Sequence, residues 1–280
     1  MSGAARPAFL LALPLTLFFL LFFIAPLGVL AVVSLGDATG TSLGVSQYGR
    51  IFGDGLSLGV LVDTLLLGVK STAVCVVFGY PLAWLCATAP PRLRGVLLFI
   101  VILPILTSVV VRSFAWIVIL GRQGIINHLL LASGLSSQPV ALLFTEPGVV
   151  AVLAQVQMPL MVLPLLTAMN RIDPNLSDAS AALGAGQWRT FRRVILPLSL
   201  PGLIAGCILV YAASVTAFVT QTLIGGARLV YMPLFIYQQA ISANAWAFAA
   251  ALSIVFLVSV LLIVTLLNTF ARAATARVQA

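Results

Sequence analysis

Nearly uncharged apolar runs recur along this chain at lengths that only a lipid bilayer requires. Residues 9–33, 58–87, 95–120, 146–169, 198–223 and 246–270 each reach or exceed the length of about 20 residues needed to cross hydrocarbon as a helix. Charged residues make up 7% of the chain and the mean hydropathy is +1.20, whereas roughly a quarter of an ordinary soluble domain is charged. Inside lipid every backbone N–H and C=O must find its partner within the protein, so runs of this kind become helices. The expectation is an all-α polytopic membrane protein with six transmembrane helices.

The polar intervals set the order of the spans. A signal peptide competes for the first run, but the run is long for one and no convincing small-residue cleavage site follows. Residues 34–57 read as a polar outer loop presenting Asp37, Tyr48, Arg50 and Asp54. The basic turn Pro90-Pro91-Arg92-Leu93-Arg94 ends the second run, and Pro104 marks a kink in the third. In the loop 121–145, residues 125–132 suit a short interfacial helix and the lone His128 suits a surface position. Pro159 and Pro164 interrupt the fourth run. Residues 225–228 form a turn and 229–242 an amphipathic segment.

Lys and Arg orient the spans. Arg6, Arg92, Arg94, Arg171, Arg189, Arg192, Arg193, Arg272 and Arg277 fall on one side, and Arg50, Arg122 and Arg228 on the other. Cytoplasmic loops carry the excess, so both termini are expected in the cytoplasm. The net charge of +8 is thereby read as orientation, and not as a nucleic-acid surface. Cys75, Cys86 and Cys207 lie within spans with no CxxC spacing and no clustered His, which indicates neither a disulfide framework nor a metal site.

One inside-facing interval is unlike the others. In residues 173–201, Asp173 and Pro174 read as N-cap and first helical position, and Leu176, Ala179, Ala182 and Leu183 recur at helical spacing until Gly184 closes the turn. Trp188, Phe191 and Ile195 make a second stripe beside Arg189, Arg192 and Arg193, before Pro197 and Pro201. Two short helices at a bend are expected on the cytoplasmic surface.

This interval resembles the cytoplasmic loop of ABC importer permeases of the binding-protein-dependent type. Asp178-Ala179-Ser180 stands for that family's Glu-Ala-Ala, Gly184 for its glycine, and Val194-Ile195-Leu196-Pro197 for its closing Ile-x-Leu-Pro. Asp for Glu and Ser for the second Ala are its departures. The resemblance implies a type I permease fold whose coupling helix, with Asp178, Ala179, Ser180, Ala182, Leu183, Gly184, Ile195 and Pro197, seats in a cytoplasmic ATPase. It also implies a second permease subunit, an ATPase dimer holding ATP and Mg, an extracytoplasmic solute-binding protein, and the bacterial inner membrane as location. No GxxxxGK[ST] run occurs, so hydrolysis is assigned to the partner and no cofactor to this chain. The organisation expected is residues 1–57 as first helix and outer loop, 58–272 as permease core containing the coupling loop 173–196, and 273–280 as cytoplasmic tail.

Gly79-Tyr80-Pro81-Leu82-Ala83-Trp84, Leu103-Pro104-Ile105-Leu106-Thr107-Ser108, Arg112-Ser113-Phe114-Ala115-Trp116, Gly124-Ile125-Ile126-Asn127 and the stretch 218–226 resemble the first permease of spermidine/putrescine-type importers, although Gln221 stands where proline is common. A polyamine is therefore the implied solute; opines, phosphonates and other organic solutes are served by similar subunits. Asp63, Tyr80, Trp84, Arg112, Trp116, Gln155, Gln157, Tyr211, Thr216, Thr220 and Gln221 are the candidates for a translocation path or gate, with packing as the competing role for the aromatic residues.

Lys70 and Arg112 each cost about 3 kcal/mol at membrane depth. Asp63 lies on the same helical face as Lys70 but about 10 Å away, so snorkelling is the bland reading of Lys70, and carbonyls freed near a kink or an outer acid are the expected partners of Arg112. One His and six scattered acids disfavour a membrane-embedded enzyme. An ion-coupled secondary transporter would favour intramembrane acids and inverted repeats, neither evident.

Overall fold

The computed structural model describes residues 14–36, 44–173 and 175–279, the side chains of residues 177 and 270–279 excepted. Arg6, Asp37, Pro174 and the start of the first expected span lie outside the described residues, as do the side chains of Arg272 and Arg277. Two compact units are present: residues 1–59 with 235–258, and residues 60–234 with 259–280.

In the first unit, helix α1 (Pro14–Ser34) is the first apolar run. The outer loop is not wholly irregular, because Ser46–Gly53 forms helix α2. Buried Gln47 and Ile51 anchor it, Tyr48 shares a 2.7 Å hydrogen bond with Ser34, and the Arg50 guanidinium lies 4.3 Å from the Phe248 ring centroid. Asp54 then caps helix α3 (Gly55–Thr88), accepting from the Ser57 hydroxyl at 2.6 Å and from the backbone N–H groups of Leu56 and Ser57. These bonds, the Ser57 hydroxyl first, hold its carboxyl below the usual carboxylate range.

The second unit is built around helix α7 (Glu146–Met169), in which Val149, Val152, Leu153, Met161, Val162 and Leu165 are fully buried. Association of helices in lipid gains little from the hydrophobic effect and depends on close van der Waals packing, which small residues permit. Helix α10 (Leu196–Val215) provides such a face with Gly202 and Gly206. A Cβ on Gly202 would stand 2.5 Å from Ala168 Cβ and 2.6 Å from the Pro164 carbonyl oxygen; one on Gly206 would stand 2.8 Å from Met161 Sδ. On α3, a Cβ on Gly79 would come within 2.7 Å of Met161 Cγ. Three helices thus meet at Met161.

The third apolar run departs from expectation. It is two helices, α4 (Pro91–Leu106) and α5 (Val109–Leu120), separated by extended Thr107 and Ser108. The guanidinium of Arg112 turns back to the Pro104 carbonyl and to Thr107 Oγ1, supplying a donor where the helix has ended. Helix α6 (Ile125–Ala132) follows, with Asn127 buried and bonded to the carbonyls of Gly121 and Val140 and to the Val140 N–H.

Among the described residues, six helical stretches are long and apolar enough to cross a membrane: Pro14–Ser34, Gly55–Thr88, Val109–Ala132, Glu146–Met169, Gln187–Val215 and Trp246–Thr269. The third therefore runs through α5 and α6, and not over residues 95–120. The fifth ends at Val215, eight residues before the expected Leu223, and a separate helix α11 (Phe218–Gly225) follows. Helix α12 (Met232–Tyr237) and the long α13 (Trp246–Gln279) complete the chain.

Candidate coupling loop and conduit

The expected bend is formed by helix α8 (Asn175–Ala182), helix α9 (Gln187–Thr190) and a π-helical turn, Phe191–Ile195, that runs directly into α10. At its start the Asp173 carboxylate accepts the Asn175 N–H at 3.0 Å. At the end of α8, Gly184 adopts φ +78°, its N–H bonds the Ala181 carbonyl at 2.9 Å, and the Ala185 N–H bonds the Ser180 carbonyl at 3.1 Å. This pair of bonds is a Schellman closure, which requires the left-handed conformation that glycine adopts without strain.

Ser180 has a second task that its alignment with a family alanine did not reveal. Its hydroxyl shares a 2.8 Å hydrogen bond with buried Thr190, joining α8 to α9 across the bend. A rigid knob results. Outward, Ala179 and Ala182 are exposed, Leu176 is 43% exposed, Leu183 88% and Trp188 72%. These apolar side chains share the surface with exposed Asp178, Arg189, Arg192 and Arg193.

Toward the membrane the knob is tied to α3 by an aromatic column. Trp188 stacks on Phe191 at 5.4 Å, Phe191 stacks on Trp84 at 4.3 Å, and Tyr80 meets the Phe191 edge at 5.7 Å. Each such pair adds about 1 kcal/mol beyond burial. Tyr80 Oη and Ser199 Oγ share a buried 2.8 Å hydrogen bond, fixing α3 to α10 just beyond the π turn. A cavity of about 760 Å³, lined by Trp84, Asp178, Trp188, Thr190, Phe191 and Ile195 among others, lies under the bend. Pro197 follows the π turn without a break in the helix, so its missing N–H falls where the regular ladder is already interrupted.

The path candidates do not form one surface. Trp116 Nε1 donates to Gln155 Oε1 at 3.2 Å, joining α5 to α7, with both residues half-buried. Asp63 and Thr216 are exposed. Arg112 is engaged at the α4–α5 break, and Trp84 belongs to the aromatic column. Gln157, Tyr211, Thr220 and Gln221 are buried inside the second unit. Lys70 pairs with Glu146 at the start of α7, a partner that spacing along one helix did not disclose. The two side chains are 48% and 41% exposed.

Residues 79–279 match the family of binding-protein-dependent transport system inner membrane components. The chain belongs to that family. The permease is 35% identical over 210 residues to the spermidine/putrescine transport system permease protein PotB of Escherichia coli (strain K12), covering 75% of this chain and 76% of that one. It is 34% identical over 163 residues to the molybdenum transport system permease protein ModB of Azotobacter vinelandii, covering 58% and 70%. Among solved structures, a bacterial alginate ABC transporter in complex with alginate pentasaccharide-bound periplasmic protein shares its fold, with TM-score 0.79 at 21% identity over 96% of this chain and 95% of that one. The permease is accordingly a transport subunit of an ABC importer and a multi-pass inner-membrane protein.

Proposed function

We propose that this permease passes a polyamine from an extracytoplasmic binding protein to the cytoplasm, working beside a second permease and driven by a partner ATPase dimer that holds ATP and Mg. The observation that carries the coupling role is the capped, cross-braced bend that leaves Leu176, Ala179, Leu183 and Trp188 exposed. Asp178, Ala179, Ser180, Ala182, Leu183 and Gly184 present or shape that knob, and Ile195 and Pro197 join it to α10. A cytoplasmic partner would bury the apolar stripe, and the aromatic column to Trp84 would carry its displacement to α3. Both termini lie in the cytoplasm on this reading, by the balance of nine arginines to three, which sets the bend on the side where ATP is found. The core is residues 58–272, preceded by a first helix with its outer loop and followed by a short tail.

A polycation leaving water is favoured by carboxylates and aromatic faces. Asp63 offers a carboxylate and Trp116 an aromatic face on partly exposed surfaces, with the Gln155 amide and the Thr216 hydroxyl as further polar groups, and Arg112 holds a break near the path. The pairing of Lys70 with Glu146 removes one carboxylate from tight solute binding, which suits a conduit that must also release its cargo. The spermidine/putrescine relative supports the choice of solute. The molybdenum relative favours a second reading, in which the same machinery serves a different solute.

Uptake into vesicles holding the complete transporter separates these. Radiolabelled spermidine or putrescine is expected to accumulate only with ATP inside and binding protein outside, and to be indifferent to an uncoupler. Accumulation of molybdate, an opine or a phosphonate in its place would overturn the polyamine assignment. Loss of uptake on adding the uncoupler, with ATP present, would overturn the ATP-driven mechanism.

A further inference from the structure

The chain contains one lysine and one glutamate, and the fold brings them together. Lys70 lies midway along α3, and its Nζ donates to Oε1 of Glu146, the first residue of α7. Every other basic side chain apart from His128 is an arginine. The exception is informative. An arginine fork grips a carboxylate through two parallel bonds, whereas an ammonium is a compact charge with rotatable donors on a flexible stem.

Stability does not account for the pair. Both side chains are about half-exposed, and an ion pair in that setting contributes little to folding. Helices α3 and α7 are already joined further along, where Gly79 packs on Met161 and the Cys75 thiol donates to the Ala154 carbonyl at 3.3 Å. Glu146 is also favoured without its lysine. It stands in the first turn of α7, where the helix dipole favours negative charge, and Thr145 caps that turn by accepting the Gly148 N–H. On α3, the Met232 N–H donates to Thr64 Oγ1 at 2.8 Å, and buried Tyr231 shares an apolar cluster with Leu67, Val149 and Val150. The backbone on both sides of the ion pair is thereby fixed, so removing Lys70 would uncover a carboxylate held in place.

We propose that Lys70 is a tethered competitor for the solute: it occupies the carboxylate on which a solute ammonium rests in passage, and its return displaces that ammonium. This rests on the polyamine reading above. A primary ammonium is the group in which a polyamine ends, so solute and Lys70 offer Glu146 the same donor. The exchange keeps charge balanced, because the arriving ammonium takes Glu146 as Lys70 swings its apolar stem and lifts its charge toward the outer water. Exposed Asp63 lies on the same face of α3, about 10 Å further out, and is the first carboxylate that an entering cation meets. Glu146 is then the solute contact, and Lys70 keeps that contact brief.

Radiolabelled spermidine binding to the complete transporter in lipid nanodiscs, without binding protein, tests this alongside maximal uptake rates in vesicles with binding protein present. Lys70→Met is expected to bind spermidine about fivefold more tightly, the scale of an exposed ion pair, and to transport it more slowly by a similar factor. Lys70→Gln is a second neutral variant and is expected to do the same. Glu146→Gln and Lys70→Arg are both expected to bind more weakly than the wild type, the first for want of the carboxylate and the second because the guanidinium grips it. In the Lys70→Met, Glu146→Gln double variant the tightening should vanish. A pair that merely braces α3 against α7 would shift binding in the same direction when either half is removed, and a pair away from the route would shift it in neither; both results overturn the proposal. If the wild type accumulates molybdate and not spermidine, the polyamine assignment falls and takes this proposal with it. Spermidine uptake by the wild type, with binding that weakens or stays unchanged in both neutral Lys70 variants, overturns the competitor role alone.

Discussion

Replacing Gly184 by arginine is expected to leave the permease inserted in the membrane and to reduce ATP-driven uptake at least a hundredfold. Gly184 sits at φ +78°, where an L side chain costs about 1–2 kcal/mol. A Cβ there meets nothing within 4 Å, so the new side chain is not crowded inside the chain and extends from the exposed knob. Its effect is to tilt the end of α8, by breaking the closure through Ala181 and Ala185, and to set a bulky cation beside Leu183 on the face proposed to dock. Gly184→Ala separates the two contributions, because it adds the backbone strain without the bulk. A loss of about tenfold, matching roughly 1–2 kcal/mol, is expected for it. Both variants are checked by uptake in vesicles and by co-purification of the ATPase; normal uptake and normal co-purification of Gly184→Arg would remove the knob from the coupling mechanism.

The second large effect is on the packing of the membrane core. Gly202→Val puts a branched side chain where a single Cβ is already 2.5 Å from Ala168 and 2.6 Å from a backbone oxygen of Pro164. Neither neighbour is the far end of a flexible side chain, so α7 and α10 must separate. Overpacking a tight interface costs about 1–3 kcal/mol and occasionally more; here it strikes the most extensive helix contact of the second unit. The variant is expected to fail to accumulate in the membrane and to elute as aggregate from detergent. Ala205→Val, one position from Gly206 but exposed, is the control and is expected to accumulate normally. Normal accumulation of Gly202→Val would contradict the close helix contact.

Local signals made the bend between Asp173 and Ile195 legible in the sequence. Asp173 can cap, Gly184 can take a positive φ, and three arginines mark an interface; none of these needs a distant partner to be recognised. Hydrophobic runs likewise gave the number of spanning helices. What escaped was decided by contacts between residues far apart in the chain. The stacking of Trp84 on Phe191 depends on the crossing of α3 with the π turn, which no local pattern foretells. The same holds for Lys70, whose partner Glu146 begins a different helix. The break at Thr107–Ser108 and the end of α10 at Val215 share another cause: in each case a side chain, Arg112 or Gln221, takes over freed carbonyls, and such compensation leaves no periodic trace. The spacing of Gly202 and Gly206 was readable as a small-residue helix contact.

The central claim is that the bend from Asn175 to Ile195 is the surface through which a cytoplasmic ATPase moves this permease. Cysteines placed singly at Ala179 and Ala182, both exposed on α8, test it in membranes containing the whole transporter. Short cross-linkers are expected to join each of them to the ATP-binding subunit, with yields that change on adding ATP, and membrane-impermeant thiol reagents are expected to reach them only from the cytoplasmic side. Cross-links confined to other proteins, or labelling only from the outside, would contradict it.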